Sequence, residues 1–261
     1  MSSKVEIVTK DIIDLNDEND VCRKRAAEER LGLGTDCCID ATGEKREYSI
    51  IYKGQKYPIQ WKTINFLDPD GKSCNSIKKD NKVNDLIVLH WTVTTDAQST
   101  IRVLKERNLG VNFIVSENGV ILQLADIAEI TEHCAGANSR SIGIEIVNPY
   151  FLKFQPYCTK HIGPRPIILD EIVHGQKLGP FLGFYDVQER AVAELVKVVC
   201  NICSIPLETP RDKDGKIIST AMKQEDLNKY RGIIGHYMIT TNKIDPIGFD
   251  FEKMLKRINE I

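Results

Sequence analysis

Apolar and polar positions along the chain fall into runs of different period, and each period predicts an element. Leu86-Ile87-Val88-Leu89 is a continuous apolar run, the pattern of a strand covered on both faces, and His90 and Trp91 follow at its end. Asp96 to Asn108 reads as a helix, with Gly110 just past its end. Val111–Val115 and Val120–Leu124 flank Glu117-Asn118-Gly119, a hairpin signal. Ser141–Val147 reads SIGIEIV, and strand alternation sets Ile142, Ile144 and Ile146 on one face with Glu145 on the other. Asp186-Val187-Gln188-Glu189 resembles a capping box that opens a helix, with Val192, Leu195, Val196 and Val199 on one stripe. A short apolar run, Gly232–Gly235, ends at His236. A last helix, near Phe251–Ile258, repeats apolar residues at i, i+3, i+4 and i+7.

Before position 85 the signals are weaker. Asp20–Leu31 reads as a short helix stopped by Gly32-Leu33-Gly34, and Tyr48–Tyr52 with Tyr57–Trp61 as a hairpin around Lys53–Lys56. Asp68–Gly71 is a turn, and Lys78–Asn84 is polar linker. Strands alternating with helices predict an α/β or α+β domain with a mixed central sheet flanked by helices. That domain spans 85–261, with irregular insertions near 148–183 and 207–231, and residues 1–84 form an N-terminal extension or small module.

Composition narrows the function classes. The chain has 261 residues, 42% hydrophobic and 28% charged, an ordinary globular balance. A net charge of −2 gives no electrostatic case for nucleic acid or an anionic membrane. No apolar run approaches the roughly 20 residues needed to span a bilayer, and no signal-peptide segment opens the chain. Synthesis in a cytoplasm, without stable membrane insertion, is the expectation. Eight cysteines invite a disulfide framework or a zinc ribbon at Cys200–Cys203. No second CxxC completes the ribbon, and free, mostly buried thiols are the simpler reading.

The chemistry gathers around few residues. His90 and His236, two of only five histidines, each end an apolar run, and Asp245 lies nine positions after His236 (245 − 236 = 9). Two imidazoles and a carboxylate are a natural zinc set that leaves a fourth place for water. Pro246 biases Asp245 toward extended backbone. A histidine at a strand end is also an ordinary satisfied polar residue, so spacing alone leaves both readings open.

HWT after LIVL, the hairpin NFIVSENGVILQLAD, HCAGANSRSIGIEIVNP and GHYMITTNKIDP follow one another in an order that resembles the zinc-dependent N-acetylmuramoyl-L-alanine amidases. That family includes phage endolysins, wall-recycling amidases and peptidoglycan recognition proteins. The resemblance covers roughly 85–256 and implies hydrolysis of the amide between N-acetylmuramic acid and L-alanine in peptidoglycan. It implies one zinc ion per chain on His90, His236 and Asp245, with Glu145 as proton acceptor and Lys243 facing the substrate carbonyl. His133 and Asn138 fall in the segment that lines the substrate groove. Trp91 sits where packing or groove contact both fit. Many relatives carry tyrosine or histidine just before the hairpin phenylalanine; here Val111 and Asn112 stand there, leaving at most the Asn112 amide. His161 and His174, in the first insertion, read as surface residues.

A wall-binding module without catalysis is the competing class, since some recognition relatives lack the ligands; the complete set here favours an enzyme. The expected partner is a muropeptide, with an immunity or delivery partner left open. The expected setting is a lysin or injected effector acting on the wall after release, or an enzyme acting on wall fragments in the cytoplasm.

Overall fold

The computed structural model describes residues 47–67, 76–78 and 82–260. The helix expected at Asp20–Leu31, the turn Asp68–Gly71, and Cys22, Cys37, Cys38 and Cys74 lie outside them. In chain order the strands are β1 (Tyr48–Tyr52), β2 (Gln55–Ile59), β3 (Thr63–Asn65), β4 (Ser76–Lys78), β5 (Leu86–Trp91), β6 (Phe113–Val115), β7 (Ile121–Gln123), β8 (Glu129–Thr131), β9 (Ser141–Ile146), β10 (Ile167–Ile168), β11 (Ile172–Val173), β12 (Gln176–Lys177), β13 (Phe181–Leu182) and β14 (Gly232–Gly235). The α-helices are α1 (Ala97–Glu106), α2 (Gln155–His161), α3 (Asp186–Cys203), α4 (Gln224–Lys229) and α5 (Phe251–Glu260).

The central sheet has six strands in the order β14-β5-β9-β6-β7-β3. It is mixed, as its sequence pattern predicts. β14, β5, β9 and β6 run parallel, β6 and β7 form the antiparallel hairpin, and β3 lies parallel to β7. β5 is buried at all six positions, as an apolar run covered on both faces requires. One face packs against α3 and α5: Ile142, Ile144 and Ile146 join Val192, Leu195, Val199, Phe251 and Met254 in one apolar cluster. The other face meets α1, where Ile114 and Leu122 pack with Ala97, Ile101 and Leu104. α1 starts where Asp96 Oδ1 accepts the Ser99 N–H at 2.7 Å, an ordinary N-cap. The cap of α3 falls one residue earlier than Asp186-Val187-Gln188-Glu189 suggests: Gln188 Oε1 accepts the Tyr185 N–H at 3.2 Å, while the Asp186 carboxylate accepts from Arg190 Nε at 2.7 Å.

Residues 47–67 depart from the boundary read at position 84. β3 is an edge strand of the central sheet, and Ile50 and Ile59 are buried in the main core. Gln123 grips the Ile51 backbone, accepting its N–H at 2.7 Å and donating to its carbonyl at 2.8 Å. Trp61 Nε1 donates to Gly119 O at 2.7 Å. This stretch therefore belongs to the same core as the strands that follow it. Cys134, Cys158 and Cys200 are buried free thiols, and Cys203 is a half-buried one. No helix among the described residues is long and apolar enough to cross a membrane.

Both insertions are tied down by polar side chains. Arg165 is buried and donates to Gly183 O, Gln188 Oε1 and Val147 O at 2.9, 3.1 and 3.0 Å. Arg140 donates to Leu227 O and Tyr230 O at 3.0 and 2.6 Å, fixing α4 beside the sheet.

Candidate active site

Strand register builds the site. Gly235 pairs with Leu89, and Leu89 pairs with Ile144 on the next strand. One residue further along, His236, His90 and Glu145 come level at the carboxyl ends of three adjacent parallel strands, where open α/β sheets bind their ligands. Alternation turns Glu145 away from the isoleucine face and toward α1. The loop after β14 then brings Asp245 back, with the Tyr237 N–H donating to Asp245 O at 2.9 Å. Gly235 permits the return: a Cβ there would meet Pro246 Cδ at 2.9 Å and the Tyr237 ring at 2.8 Å.

Three ligand atoms converge. His90 Nδ1 lies 3.0 Å from His236 Nδ1 and 3.1 Å from Asp245 Oδ2, and His236 Nδ1 lies 3.0 Å from the same oxygen. All three residues are buried. Burial pushes the His90 imidazole below its ordinary value, toward the neutral form. Burial alone would raise the Asp245 carboxyl, but the contact with the His236 imidazole outweighs it and holds the group below the usual carboxylate range.

The protons of this cluster can be assigned outward from a backbone carbonyl. Ser141 Oγ donates to Ala137 O at 2.8 Å, so it accepts from His133 Nε2 at 3.1 Å. His133 in its neutral tautomer then has a bare Nδ1, which accepts from His90 Nε2 at 3.0 Å. His90 Nδ1 is left without a proton, its lone pair facing the Asp245 carboxylate. Two lone-pair donors at 3.1 Å repel one another unless a cation lies between them. Ligands of a tetrahedral zinc ion lie about 3.3 Å apart, so this triangle needs to open by only a few tenths of an ångström. The donor set and its spacing fit zinc. His90, His236 and Asp245 form the one such group among the described residues.

A cavity of about 350 Å³ opens onto these ligands. Glu145, Lys243 and His133 line it, as do Thr100 and Val103 along one side of α1 and Arg107 just past its end. Glu145 is half-buried, and its Oε2 is buried without a hydrogen-bond partner. Burial and the nearby Asp245 carboxylate push the Glu145 carboxyl well above the usual carboxylate range, while Lys243 and Arg107 pull it back. An orphaned buried carboxyl oxygen in a polar cavity is costly, which makes it a candidate for chemistry.

Not every residue expected in the groove faces it. Asn112 is fully buried, its Nδ2 donating to Asp126 O at 3.0 Å and its Oδ1 accepting the Gly143 N–H at 3.1 Å. Its amide is consumed by the sheet. Asn138 Oδ1 accepts from His133 N and Cys134 N at 3.1 and 2.6 Å, so it shapes the loop instead. Trp91 borders the cavity, but its ring packs on Tyr150 and Phe181, 4.7 and 5.8 Å between centroids. Both ring nitrogens of His133 are engaged within the protein, making it a support for His90. The wall from α1 and the Ser141 hydroxyl were not singled out in the sequence. The amphipathic pattern of α1 was visible there, but not that one edge of it fronts the ligands.

A family described as N-acetylmuramoyl-L-alanine amidase matches residues 79–248, more than half of the chain. No curated protein matches the sequence. Among solved structures, the amidase LysC from Clostridium intestinale URNW is similar at 15% identity and a TM-score of 0.47, covering 76% of this chain and 97% of that one. The Staphylococcus aureus hydrolase AmiA matches at 15% identity and 0.45, over 76% of this chain and 81% of that one. AmiD from E. coli matches at 18% and 0.44, over 80% and 65%. On the family match, the chain belongs to the N-acetylmuramoyl-L-alanine amidases, hydrolases of an amide bond in peptidoglycan.

Proposed function

We propose that this amidase cleaves the bond between the lactyl group of N-acetylmuramic acid and L-alanine, using one zinc ion held by His90, His236 and Asp245. The observation that carries the reading is the convergence of three ligand atoms within 3.1 Å at the floor of a cavity that Glu145 and Lys243 also line. Zinc bound there supplies Lewis acidity and lowers the pKa of a water to about 7.

The chain's own residues do the rest. The Glu145 carboxylate takes the proton of the attacking water and returns it to the departing alanine nitrogen, and a carboxyl with a raised pKa suits both transfers. The Lys243 ammonium stabilises the negative charge that develops on the carbonyl oxygen, a contribution of about 100-fold or more for such a donor. His133 holds the His90 ring so that Nδ1 stays unprotonated. Val103 and Leu104 of α1 give the cavity an apolar side and exclude water from part of it.

The proposed setting is lysis of a wall after release or injection of the protein, because the insertions and the N-terminal extension exceed a bare catalytic core. Digestion of purified sacculi tests the reaction. Mass spectrometry should find glycan with free lactyl carboxylates and stem peptides beginning at alanine. Binding to sacculi with no such products would turn the reading to a wall-binding module.

A further inference from the structure

The insertion at 148–183 returns to the site at one point, a histidine that reads from the sequence as a surface residue. β11 and β12 pair as a hairpin whose tip, His174-Gly175, has left-handed backbone at both positions, with φ of 52° and 74°. The His174 N–H donates to Ser219 O at 2.8 Å, which ties the tip to the second insertion. Its ring then bridges two segments. Nε2 lies 2.8 Å from Lys243 O and Nδ1 lies 3.2 Å from Thr220 Oγ1. A carbonyl only accepts, so Nε2 carries the proton and Nδ1 accepts from the threonine hydroxyl.

The bonded carbonyl belongs to Lys243, whose side chain lines the cavity. Lys243 is exposed, and its ammonium has no hydrogen-bond partner among the described residues. With no partner to fix it, the ammonium can reach only the range that the backbone beneath it allows. Around Lys243 itself the other hydrogen bonds are local, Lys243 N to Thr240 O at 3.3 Å and Asn242 N to Thr240 Oγ1 at 3.3 Å, and the loop's other ties to the second insertion, Met222 N to Met238 O at 2.8 Å and Tyr237 OH to Ile218 O at 3.3 Å, lie at its beginning. Asp245, by contrast, is held from the other side by the Tyr237 N–H and by His236. The His174 bond thus acts on the lysine end of the loop, not on the ligand end.

We propose that His174 is a positioning residue that fixes the Lys243 ammonium over the reacting carbonyl by holding the Lys243 backbone, so that both insertions serve the site. This rests on the role given to Lys243 above. A displacement of about 1 Å in a catalytic group can cost up to about 100-fold in rate. One lost hydrogen bond to an otherwise intact loop should cost about tenfold in kcat.

A double-mutant cycle on a soluble muramoyl peptide tests this, with zinc content and melting temperature measured for each protein. His174→Ala should lower kcat about tenfold, leave KM within about twofold and leave zinc per chain unchanged. His174→Gln, whose amide can still donate to the carbonyl, should recover most of the loss, and His174→Asn should not. This pair carries the test if the alanine variant fails to fold. In a Lys243→Ala background the His174→Ala change should have no further effect. Unchanged kcat in His174→Ala, an equal loss in both backgrounds, or loss of zinc would each overturn the proposal. Normal turnover by Lys243→Ala alone would remove the lysine role itself, a failure read from that single variant before the cycle is closed.

Discussion

Replacing His133 with alanine removes the group that orients His90 without touching any ligand atom. Two hydrogen bonds disappear, one of 3.0 Å to His90 Nε2 and one of 3.1 Å to Ser141 Oγ. Partly buried bonds of this kind contribute about 0.5–1.5 kcal/mol each, and losing the partner leaves the His90 N–H to find water. The sum, about 1–3 kcal/mol, agrees with the 10–100-fold loss of metal affinity typical when a support of a ligating histidine is deleted. Competition against a chromophoric chelator at fixed neutral pH measures it directly. A second variant reaches the same ring without changing a polar group. A Cβ on Gly143 would lie 2.7 Å from His133 Cγ, so Gly143→Ala must push the imidazole off His90 and weaken zinc in the same direction. Ser141→Ala, one bond further out, should show a smaller loss. Zinc affinity within twofold of the parent in both His133→Ala and Gly143→Ala, with melting temperatures intact, would refute the proton assignment.

Three other outcomes follow from the same geometry. Glu145→Gln should retain zinc, melt no lower than the parent because a buried orphaned carboxyl is replaced by a neutral isostere, and lose about 100- to 10,000-fold in kcat. Near-normal turnover would remove Glu145 from the proton transfer. Arg165→Ala strips three buried hydrogen bonds from the anchor of the first insertion and should cost about 3–5 kcal/mol in denaturant unfolding. A loss below about 1 kcal/mol would show the insertion to be held elsewhere. Stability of the metal-free protein should fall as pH drops below about 6.5, because the unfolded chain binds protons there that the buried His90 and the half-buried His133, both held below the ordinary imidazole value by desolvation, do not. Thermal melts in chelator from pH about 7.5 to about 5 read this, and a flat profile would contradict the burial assigned to both rings.

Much of this was legible in the sequence, and the failures have a common physical cause. The apolar runs at Leu86–Leu89 and Gly232–Gly235 announced buried strands because period and composition are local properties. Glu145 stood out because alternation within one strand sets its face. β3 did not stand out: Thr63-Ile64-Asn65 is too short to show a period, and its partner β7 lies about sixty residues away. Asn112 and Asn138 were given to the groove by position, but a side-chain amide goes where unpaired backbone groups are. Those groups become visible only when distant segments pack. His174 was hidden for the same reason, since the Lys243 carbonyl it meets is 69 residues along the chain.

Titration of metal-free protein with zinc, followed by turnover of a muramoyl peptide, bears most directly on the three converging ligands. Activity should be absent at the start, rise linearly, and break near one ion per chain, a break that Asp245→Ala should lack. Full turnover by metal-free protein, or an Asp245→Ala variant that titrates like the parent, would contradict the three-ligand site.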